Sequence, residues 1–141
     1  MADKLKIQFS DWYHIDDIEA YSGLGERGVY VLAHSDVLLS GASDPYMQSV
    51  VYVGETHGDE QSYKKRLATF VKAAKVGGGE FKHSGGNTFF TKKHLKLENV
   101  YVAFCPCEDG QISLIDTIKI LKRGLIAGYS KKFGKNPECN K

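Results

Sequence analysis

Cysteine is scarce in this chain, and long apolar runs are absent. The three cysteines in 141 residues, Cys105, Cys107 and Cys139, cannot all pair with one another, which argues against a disulfide framework. Cys105 and Cys107 lie too close together for a zinc site and lack a second matching pair, so we expect free thiols. No run approaches the roughly 20 apolar residues of a membrane span.

The N-terminal residues 1–4 also lack the charged-then-apolar form of a secretory signal peptide. We therefore expect a cytoplasmic protein with no membrane partner. A hydrophobic fraction of 42% and an aromatic fraction of 11% are ordinary for a globular protein, which excludes disorder over most of the chain. At 141 residues, the chain is expected to form a single domain, residues 1–141, around one core.

The charges are divided unevenly along the chain. Residues 1–60 carry 3 Lys/Arg and 11 Asp/Glu, whereas residues 61–141 carry 16 and 6, although the net charge is only +2. A basic half suits a polyanion, because clustered Lys/Arg gain free energy by displacing phosphate counterions. Two alternatives are open: the lysines only solvate helix surfaces, or the folded acidic half cancels the field of the basic half.

The apolar pattern predicts an α/β (α+β) fold in which helices flank a central mixed or antiparallel sheet of about three strands. The expected strands are residues 5–9, 28–33, 50–53 and 99–105, with the last in the centre. Helices are expected at residues 59–76 and 112–129, at 91–96, and from Ser10 or Asp11 to about Tyr21.

Two connections stand out between these elements. Three glycines from Gly77 onward should end the helix of residues 59–76, since they cost too much backbone entropy to continue it. Residues 83–88 are expected to form a flexible polar loop able to approach a phosphate. The connection 34–49 is longer than a hairpin needs, and it is either a surface excursion or a substrate-contacting loop.

Two short predicted strands each carry a tyrosine near a glycine, as Gly28-Val29-Tyr30 and Tyr52-Val53-Gly54. Because β-branched and aromatic residues favour strands, the two tyrosines are expected to project from neighbouring strands of one sheet. Arg66 follows on a basic helix, at the edge of its apolar stripe. Its side chain is therefore expected to reach the sheet surface that holds the tyrosines.

This ordered set resembles the signature of the GIY-YIG nuclease family. The resemblance extends to Leu125-Ile126 in the last helix and to Pro137 and Asn140 near the end, so it covers most of the chain. It implies a DNA endonuclease that hydrolyses phosphodiester bonds with Mg²⁺ or Mn²⁺. It also implies that specificity comes from the loops at residues 34–49 and 77–90, with a homodimer as one arrangement.

The resemblance also implies roles for individual residues. Tyr30 is implied as the general base, Tyr52 as the residue that positions phosphate and water, and Arg66 as the phosphate anchor. A tyrosine acts as a base only if positive charge lowers its pKa from about 10, which Arg66 or a metal would do. Gly54 would keep the strand end open. His83, ahead of His57, is a plausible proton carrier. Further nucleic-acid contacts are expected from Lys65, Asn87 and Asn140.

One position departs from the family's pattern. The family places a metal-binding glutamate three residues before its Leu-Ile pair, where this chain has Lys122. An ammonium group has no lone pair and repels a metal, so no metal ligand is assigned. Asp116 faces another side of the helix, and nothing in the sequence supports Glu138 as a substitute.

Lys122 leaves three interpretations open: an inactivating substitution, an evolved pseudo-nuclease, or an ammonium that replaces the charge of the metal. The alternatives to an endonuclease are therefore a catalytically inactive nucleic-acid-binding module and a protein-interaction domain. The first would use the basic half without hydrolysis, and the second would keep only the fold.

Overall fold

An antiparallel sheet forms the centre of the molecule in the computed structural model, which describes residues 7–56, 62–77, 79, 81–108 and 113–140. Its strand order is β1-β4-β2-β3. The strands are β1 (Tyr13–His14), β2 (Gly28–His34), β3 (Val50–Glu55) and β4 (Val100–Pro106). The predicted α+β class is confirmed, and the strand beyond the expected three is the two-residue β1.

Strand β2 lies between β4 and β3 and pairs antiparallel with both. Tyr30 stands opposite Gly54 on one side and Phe104 on the other. Because successive side chains alternate between the faces of a sheet, Tyr30 and Tyr52 point to one layer while Val29 and Val53 point to the other. The prediction that the two tyrosines project from neighbouring strands is confirmed.

Helices cover both faces of this sheet. On the tyrosine face lie a 3₁₀ helix, η1 (Ile15–Ala20), and two α-helices, α1 (Tyr63–Val76) and α2 (Ser84–Thr91). On the other face, α3 (Leu114–Phe133) packs against the side chains of Val29 and Val53. A short 3₁₀ turn, η2 (Leu97–Asn99), leads into β4. The main strands are buried on both sides for this reason.

The long helices begin and end largely as the sequence indicates. The Ser62 hydroxyl caps α1, and Gly77, at φ 68°, ends it as predicted, while residues 59–61 lie outside the described part. Helix α3 continues past the predicted end at residue 129, and a Cβ at Gly128 within it would lie 2.6 Å from Cε1 of Tyr46. It stops at Gly134, whose φ of 77° is left-handed.

Two predictions near the N-terminus were wrong. Residues 7–9 of the expected strand 5–9 form no strand; residues 5 and 6 are outside the described part. The expected helix from Ser10 or Asp11 is replaced by β1 and then η1. Its cap is His14, whose Nδ1 accepts the Asp16 N–H at 3.1 Å. Ser10 instead pairs with Phe104, donating its N–H to the carbonyl at 2.8 Å and accepting the amide with its hydroxyl at 2.9 Å.

Two further predictions, a loop at 83–88 and a helix at 91–96, were also wrong. Helix α2 occupies the expected loop, and a turn follows it. Glycine is a poor helix former, but here Gly85 lies against the Tyr52 ring and Gly86 against the backbone of α1, where a Cβ would be within 2.8 Å of existing atoms. Close packing therefore outweighs helix propensity.

The C-terminal segment closes the outer edge of β3. The Cys139 N–H donates to the Val51 carbonyl at 2.7 Å. The Asn140 side chain pairs with Val53 in both directions: its Oδ1 accepts the Val53 N–H at 2.8 Å, and its Nδ2 donates to the Val53 carbonyl at 3.0 Å. An amide side chain thus occupies the place that a further strand would take.

Two other expectations concern the state of the cysteines and the presence of membrane-spanning helices. Cys105, Cys107 and Cys139 are free thiols. Within the ranges that the structure describes, no helix has both the length and the apolar character to cross a membrane.

Replacing Asn140 by alanine should weaken the sheet edge. Asn140→Ala leaves the Val53 amide and carbonyl without their partners, so we expect the free energy of unfolding to fall by about 1–3 kcal/mol. Urea denaturation measures it. Asn99→Ala is the control, since Asn99 bonds only to exposed Asp36 through its side chain, and its cost should stay within about 0.5 kcal/mol. Equal losses would contradict an edge-closing role for Asn140.

Candidate active site

Four side chains singled out in the sequence converge on the tyrosine face of the sheet. Tyr30 comes from β2, Tyr52 from β3, Arg66 from α1 and His83 from the residue that caps α2. The two phenol ring centroids are 6.1 Å apart, and the Tyr52 and His83 centroids are 5.6 Å apart. We call these four residues the polar cluster.

Glycine 54 makes the arrangement of the phenols possible. A Cβ at Gly54 would lie 2.3 Å from Cζ of Tyr30 and 2.6 Å from Cε2 of Tyr52. The expected role of Gly54 was to keep the strand end open to substrate. In the structure its lack of a side chain lets the Tyr30 ring cross over β3, and the role toward substrate stays a prediction. Gly85 of α2 likewise leaves room for Tyr52, since a Cβ added there would lie 2.5 Å from the Tyr52 ring.

The hydrogen bonds of His83 fix its tautomer. Its Nδ1 accepts the backbone N–H of Gly86 at 3.1 Å, so that nitrogen carries no proton. Its Nε2 lies 2.8 Å from the Tyr30 hydroxyl. The neutral imidazole therefore holds its proton on Nε2 and donates it to the Tyr30 oxygen. In this arrangement His83 orients Tyr30 while capping α2; the proton-carrier role stays a prediction.

Arg66 is a buried cation without a matching anion. Its side chain is 7% exposed, and its Nη1 donates to the Lys82 carbonyl at 3.0 Å. The positive charge of the guanidinium partly lowers the pKa of Tyr30. Within the described ranges its Nε has no hydrogen-bond partner, and no carboxylate forms an ion pair with it. Because a buried charge is costly when unpaired, this donor is suited to an anionic ligand.

Burial works against ionisation of either phenol. It raises the pKa of Tyr30 well above the ordinary value, the Tyr52 phenol adds to this, and Arg66 only partly opposes it. Burial likewise raises the pKa of Tyr52, against the lowering effects of Arg66 and of a hydrogen bond to Ser84. Both phenols are protonated at neutral pH. The general-base role of Tyr30 stays a prediction that this resting arrangement does not favour.

Lys122, at the position of the expected glutamate, belongs to α3, which packs on the face of the sheet opposite the polar cluster. Its Nζ is 3.5 Å from Oε1 of Glu55, the last residue of β3. The side chains of Lys122 and Glu55 are 24% and 15% exposed, so the pair is partly shielded from water. Beside the larger effect of burial, the Glu55 charge also raises the pKa of both phenols.

The residues present do not fit Mg²⁺ or Mn²⁺. Such ions take several oxygen ligands, and in the described part of the chain no group of three His, Cys, Asp or Glu side chains is placed to hold a metal. Glu55 is a single carboxylate whose charge is matched by Lys122. Glu138 pairs with His94, whose Nε2 is 2.9 Å from its Oε2.

Three other predicted residues are not part of the polar cluster. Lys65 is exposed on α1, and Asn140 closes the edge of β3. Asn87 donates from Nδ2 to the Phe81 carbonyl at 3.1 Å, while its Oδ1 lacks a partner within the described ranges. His57 lies outside the described residues.

Sequence reasoning missed two neighbours of the cluster. Glu55 directly follows Tyr52-Val53-Gly54, so its position at the strand end was visible in the sequence, but its pairing with α3 was not. Tyr63 packs edge-on to Tyr30, with ring centroids 6.4 Å apart, and donates its hydroxyl to the Val29 carbonyl at 3.0 Å. The only available signal for Tyr63 was its place on the apolar stripe of α1.

Comparison with known proteins adds no relative: no protein-family model matches the sequence, and no curated protein or solved structure is significantly similar to it. The resemblance to the GIY-YIG family therefore depends on the residues and on their geometry.

Adding one methyl group at Gly54 should disrupt the cluster. Gly54→Ala places a Cβ 2.3 Å from Cζ of Tyr30. Because the ring must shift to relieve this clash, we expect a loss of about 1–3 kcal/mol in the free energy of unfolding. Gly124→Ala is the matched control: it lies on α3 with no atom within 4 Å of the added carbon, and it should be neutral or stabilise by up to about 1 kcal/mol. Urea denaturation measures both. A neutral Gly54→Ala would contradict the packing described here.

The buried Tyr30 phenol should make stability fall in alkali. Because its folded pKa is raised above the unfolded value of about 10, the folded state keeps a proton that the unfolded chain releases. Its contribution is intact below about pH 10 and is lost as the pH rises further. Tyr30→Phe should therefore show a shallower decline of the unfolding free energy above about pH 10. Parallel declines in both proteins would contradict the burial of this phenol.

Proposed function

We propose that this domain binds the phosphodiester backbone of DNA at the polar cluster and cleaves it, as an endonuclease similar to the GIY-YIG family. The observation that supports the proposal is the contact of two phenols with an imidazole, together with the buried Arg66 guanidinium bonded to the carbonyl of Lys82, directly before that imidazole residue. Its unpartnered Nε–H offers a donor for an anion. A phosphodiester carries one negative charge on two oxygens, which a guanidinium fork binds with paired hydrogen bonds.

The other members of the cluster have roles that follow from their protonation. The neutral phenols of Tyr30 and Tyr52 donate hydrogen bonds to the phosphate oxygens, while the attacking water gives its proton to solvent and the leaving oxygen takes one from solvent. Donors held in a dry site stabilise the charge that develops on a phosphate in the transition state. His83 holds Tyr30 in place through its Nε2–H. We therefore assign Arg66 as the anchor, with both phenols as donors to the substrate.

Access to the cluster requires movement. Tyr30 is 0% exposed, and Arg66 is held by the carbonyl of Lys82, immediately before α2. In our proposal the start of α2 shifts, the Arg66 to Lys82 hydrogen bond breaks, and the phosphate takes the place of that carbonyl. Short segments that carry function are often the less stable parts of a domain. This step falls within the connection 77–90 to which specificity was attributed.

The partner in this proposal is DNA, and the location is the cytoplasm. Helices α1 and α3 lie on opposite faces of the sheet, and each exposes basic side chains. The basic half of the chain is thus divided between two surfaces, so it provides contacts to more than one stretch of backbone. A homodimer, as predicted, would supply one cluster for each strand of a duplex.

A second function, DNA binding without cleavage, is favoured by the Lys122 to Glu55 ion pair and by the raised pKa of Tyr30. The first leaves no metal ligand set among the described residues, and the second disfavours Tyr30 as the base that activates water. A cluster with a guanidinium anchor alone would hold a phosphate without hydrolysing it. Plasmid nicking and DNA affinity, measured on the same samples, separate the two functions.

Removing the charge of Arg66 should abolish function without unfolding the protein. Arg66→Met keeps most of the side-chain volume, so the free energy of unfolding should stay within about 1 kcal/mol or rise. Nicking of supercoiled plasmid should disappear, and DNA affinity should fall by about tenfold or more. The control is Arg123→Met, at an exposed arginine of α3, which should retain cutting and most of the affinity.

The assay is carried out with Mg²⁺, with Mn²⁺ and with EDTA. Nicking in any of these buffers that depends on Arg66 supports the endonuclease. Salt-sensitive binding without nicking selects the silent module. Absence of both binding and nicking at low salt would contradict both functions.

A further inference from the structure

We propose that the outer surface of α1 and α2 binds single-stranded DNA, with an unpaired base stacked on the exposed ring of Phe90. We call it the lysine–aromatic surface and define it by Lys72, Phe81, Phe90 and Lys93. Binding there needs no cleavage. That the bound strand also reaches the polar cluster rests on the function proposed above, and it specifies a substrate with unpaired bases near the phosphate.

Charge on this side of the molecule is almost entirely of one sign. Residues 62–97 contain eight lysines and Arg66 but one acid, Glu80, which lies outside the described residues. Lys72 and Lys93 are exposed, and in the described part of the chain no carboxylate pairs with either of them. Such a surface attracts a polyanion, because each bound phosphate releases condensed counterions.

Two phenylalanine rings lie among these lysines. The Nζ of Lys72 is 5.9 Å from the centroid of the Phe81 ring, and the Nζ of Lys93 is 5.8 Å from that of Phe90. Phe90 is 40% exposed, yet its position is fixed, since its ring packs so closely against Gly77 that a Cβ there would collide with it. Proteins bind single strands with such aromatic platforms for the bases and with basic side chains along the backbone.

Three consecutive residues connect this surface to the polar cluster. Phe81 belongs to the surface, the Lys82 carbonyl accepts from Nη1 of Arg66 at 3.0 Å, and Nε2 of His83 lies 2.8 Å from the Tyr30 hydroxyl. The opening proposed above displaces the same segment. A strand bound at Phe81 therefore lies next to the place where its phosphate would meet Arg66.

Unpaired bases fit this surface better than a duplex or a membrane does. Bases stacked inside a duplex present their edges to a protein and not their faces, so an exposed ring has nothing to stack on. A helix that lies in a membrane surface needs a broad apolar face. The large apolar side chains exposed on the described residues of α1 and α2 are only Val76 and Phe90.

The first test measures, by fluorescence anisotropy at low salt, the affinity for a labelled oligothymidylate and for its duplex with oligodeoxyadenylate. Phe90→Leu should weaken binding of the single strand by about fivefold or more, the loss expected for one stacked base, and binding of the duplex by less than about twofold. Phe90→Trp should keep the affinity for the single strand. An unchanged thermal midpoint shows that each variant is folded.

Phe133→Leu is the matched control for the lost ring. Lys132 lies over the Phe133 ring at 5.2 Å, on α3 at the opposite face of the sheet. The pair has the same chemistry as Lys93 with Phe90 but lies outside the proposed surface. This variant should therefore bind the oligothymidylate as tightly as the unaltered chain.

The second test uses the fluorescence of Phe90→Trp. Trp12, the single tryptophan of the chain, is 6% exposed, so a change in emission relative to the unaltered chain reports on position 90. Oligothymidylate should quench that emission, because a base stacks on the indole. Vesicles of phosphatidylserine and phosphatidylcholine should leave it unchanged. A blue shift with vesicles and no quenching by oligothymidylate would overturn the inference in favour of a membrane surface.

The outcomes separate this inference from the proposed function. Equal losses in Phe90→Leu and Phe133→Leu, or equal effects of Phe90→Leu on single strand and duplex, overturn the inference and leave DNA binding at the cluster intact. Quenching by oligothymidylate without any nicking of plasmid supports the surface and overturns the endonuclease. Failure of both forms of DNA to bind at low salt overturns both proposals.

Discussion

The guanidinium of Arg66, buried against the Tyr30 phenol, is the constraint around which the centre of this domain is arranged. It holds the Lys82 carbonyl and thereby the start of α2, where His83 begins the helix and supports Tyr30. Sheet, α1 and α2 thus meet at a single cation. A core built only for stability would place an apolar side chain there, because a desolvated charge without a counter-ion is unfavourable. In the proposed function, this cation also recognises the phosphate.

Close packing and catalysis make opposite demands on the phenols of the polar cluster. The dense core that brings the four side chains together also removes them from water, which raises the pKa of the phenols. A catalytic tyrosine needs the opposite shift. In the proposed function, Arg66 and the phenols are assembled before the substrate arrives, and the start of α2 moves to admit it.

Much of the sheet could be predicted because it depends on local sequence. Runs of β-branched and aromatic residues marked β2, β3 and β4, and the alternation of side chains placed Tyr30 beside Tyr52. Arg66 was predictable from the stripe of α1. Elements that depend on contacts between distant parts of the chain could not be predicted. Strand β1 depends on its pairing with β4. Helix α2 contains glycines at places where Tyr52 and α1 leave no space for a side chain.

The same distinction applies to the site. The identity of the cluster followed from residue order, but its burial and the tautomer of His83 depend on how α2 docks. Lys122 was recognisable as a misfit from its spacing to Leu125-Ile126. Its partner Glu55 could not be predicted, because the angle at which α3 crosses the sheet decides which strand end the Lys122 ammonium reaches. Sequence periodicity gives the face of a helix, not its register against another layer.

The amide of Asn140 has a consequence for assembly. Strand β3 is the outer strand on its side, and unpaired edges invite strand addition from neighbouring molecules. Cys139 and Asn140 already occupy the outward polar groups of Val51 and Val53. Two copies therefore cannot merge their sheets across these positions into one continuous ribbon without first peeling away the tail, so any self-association must use another surface.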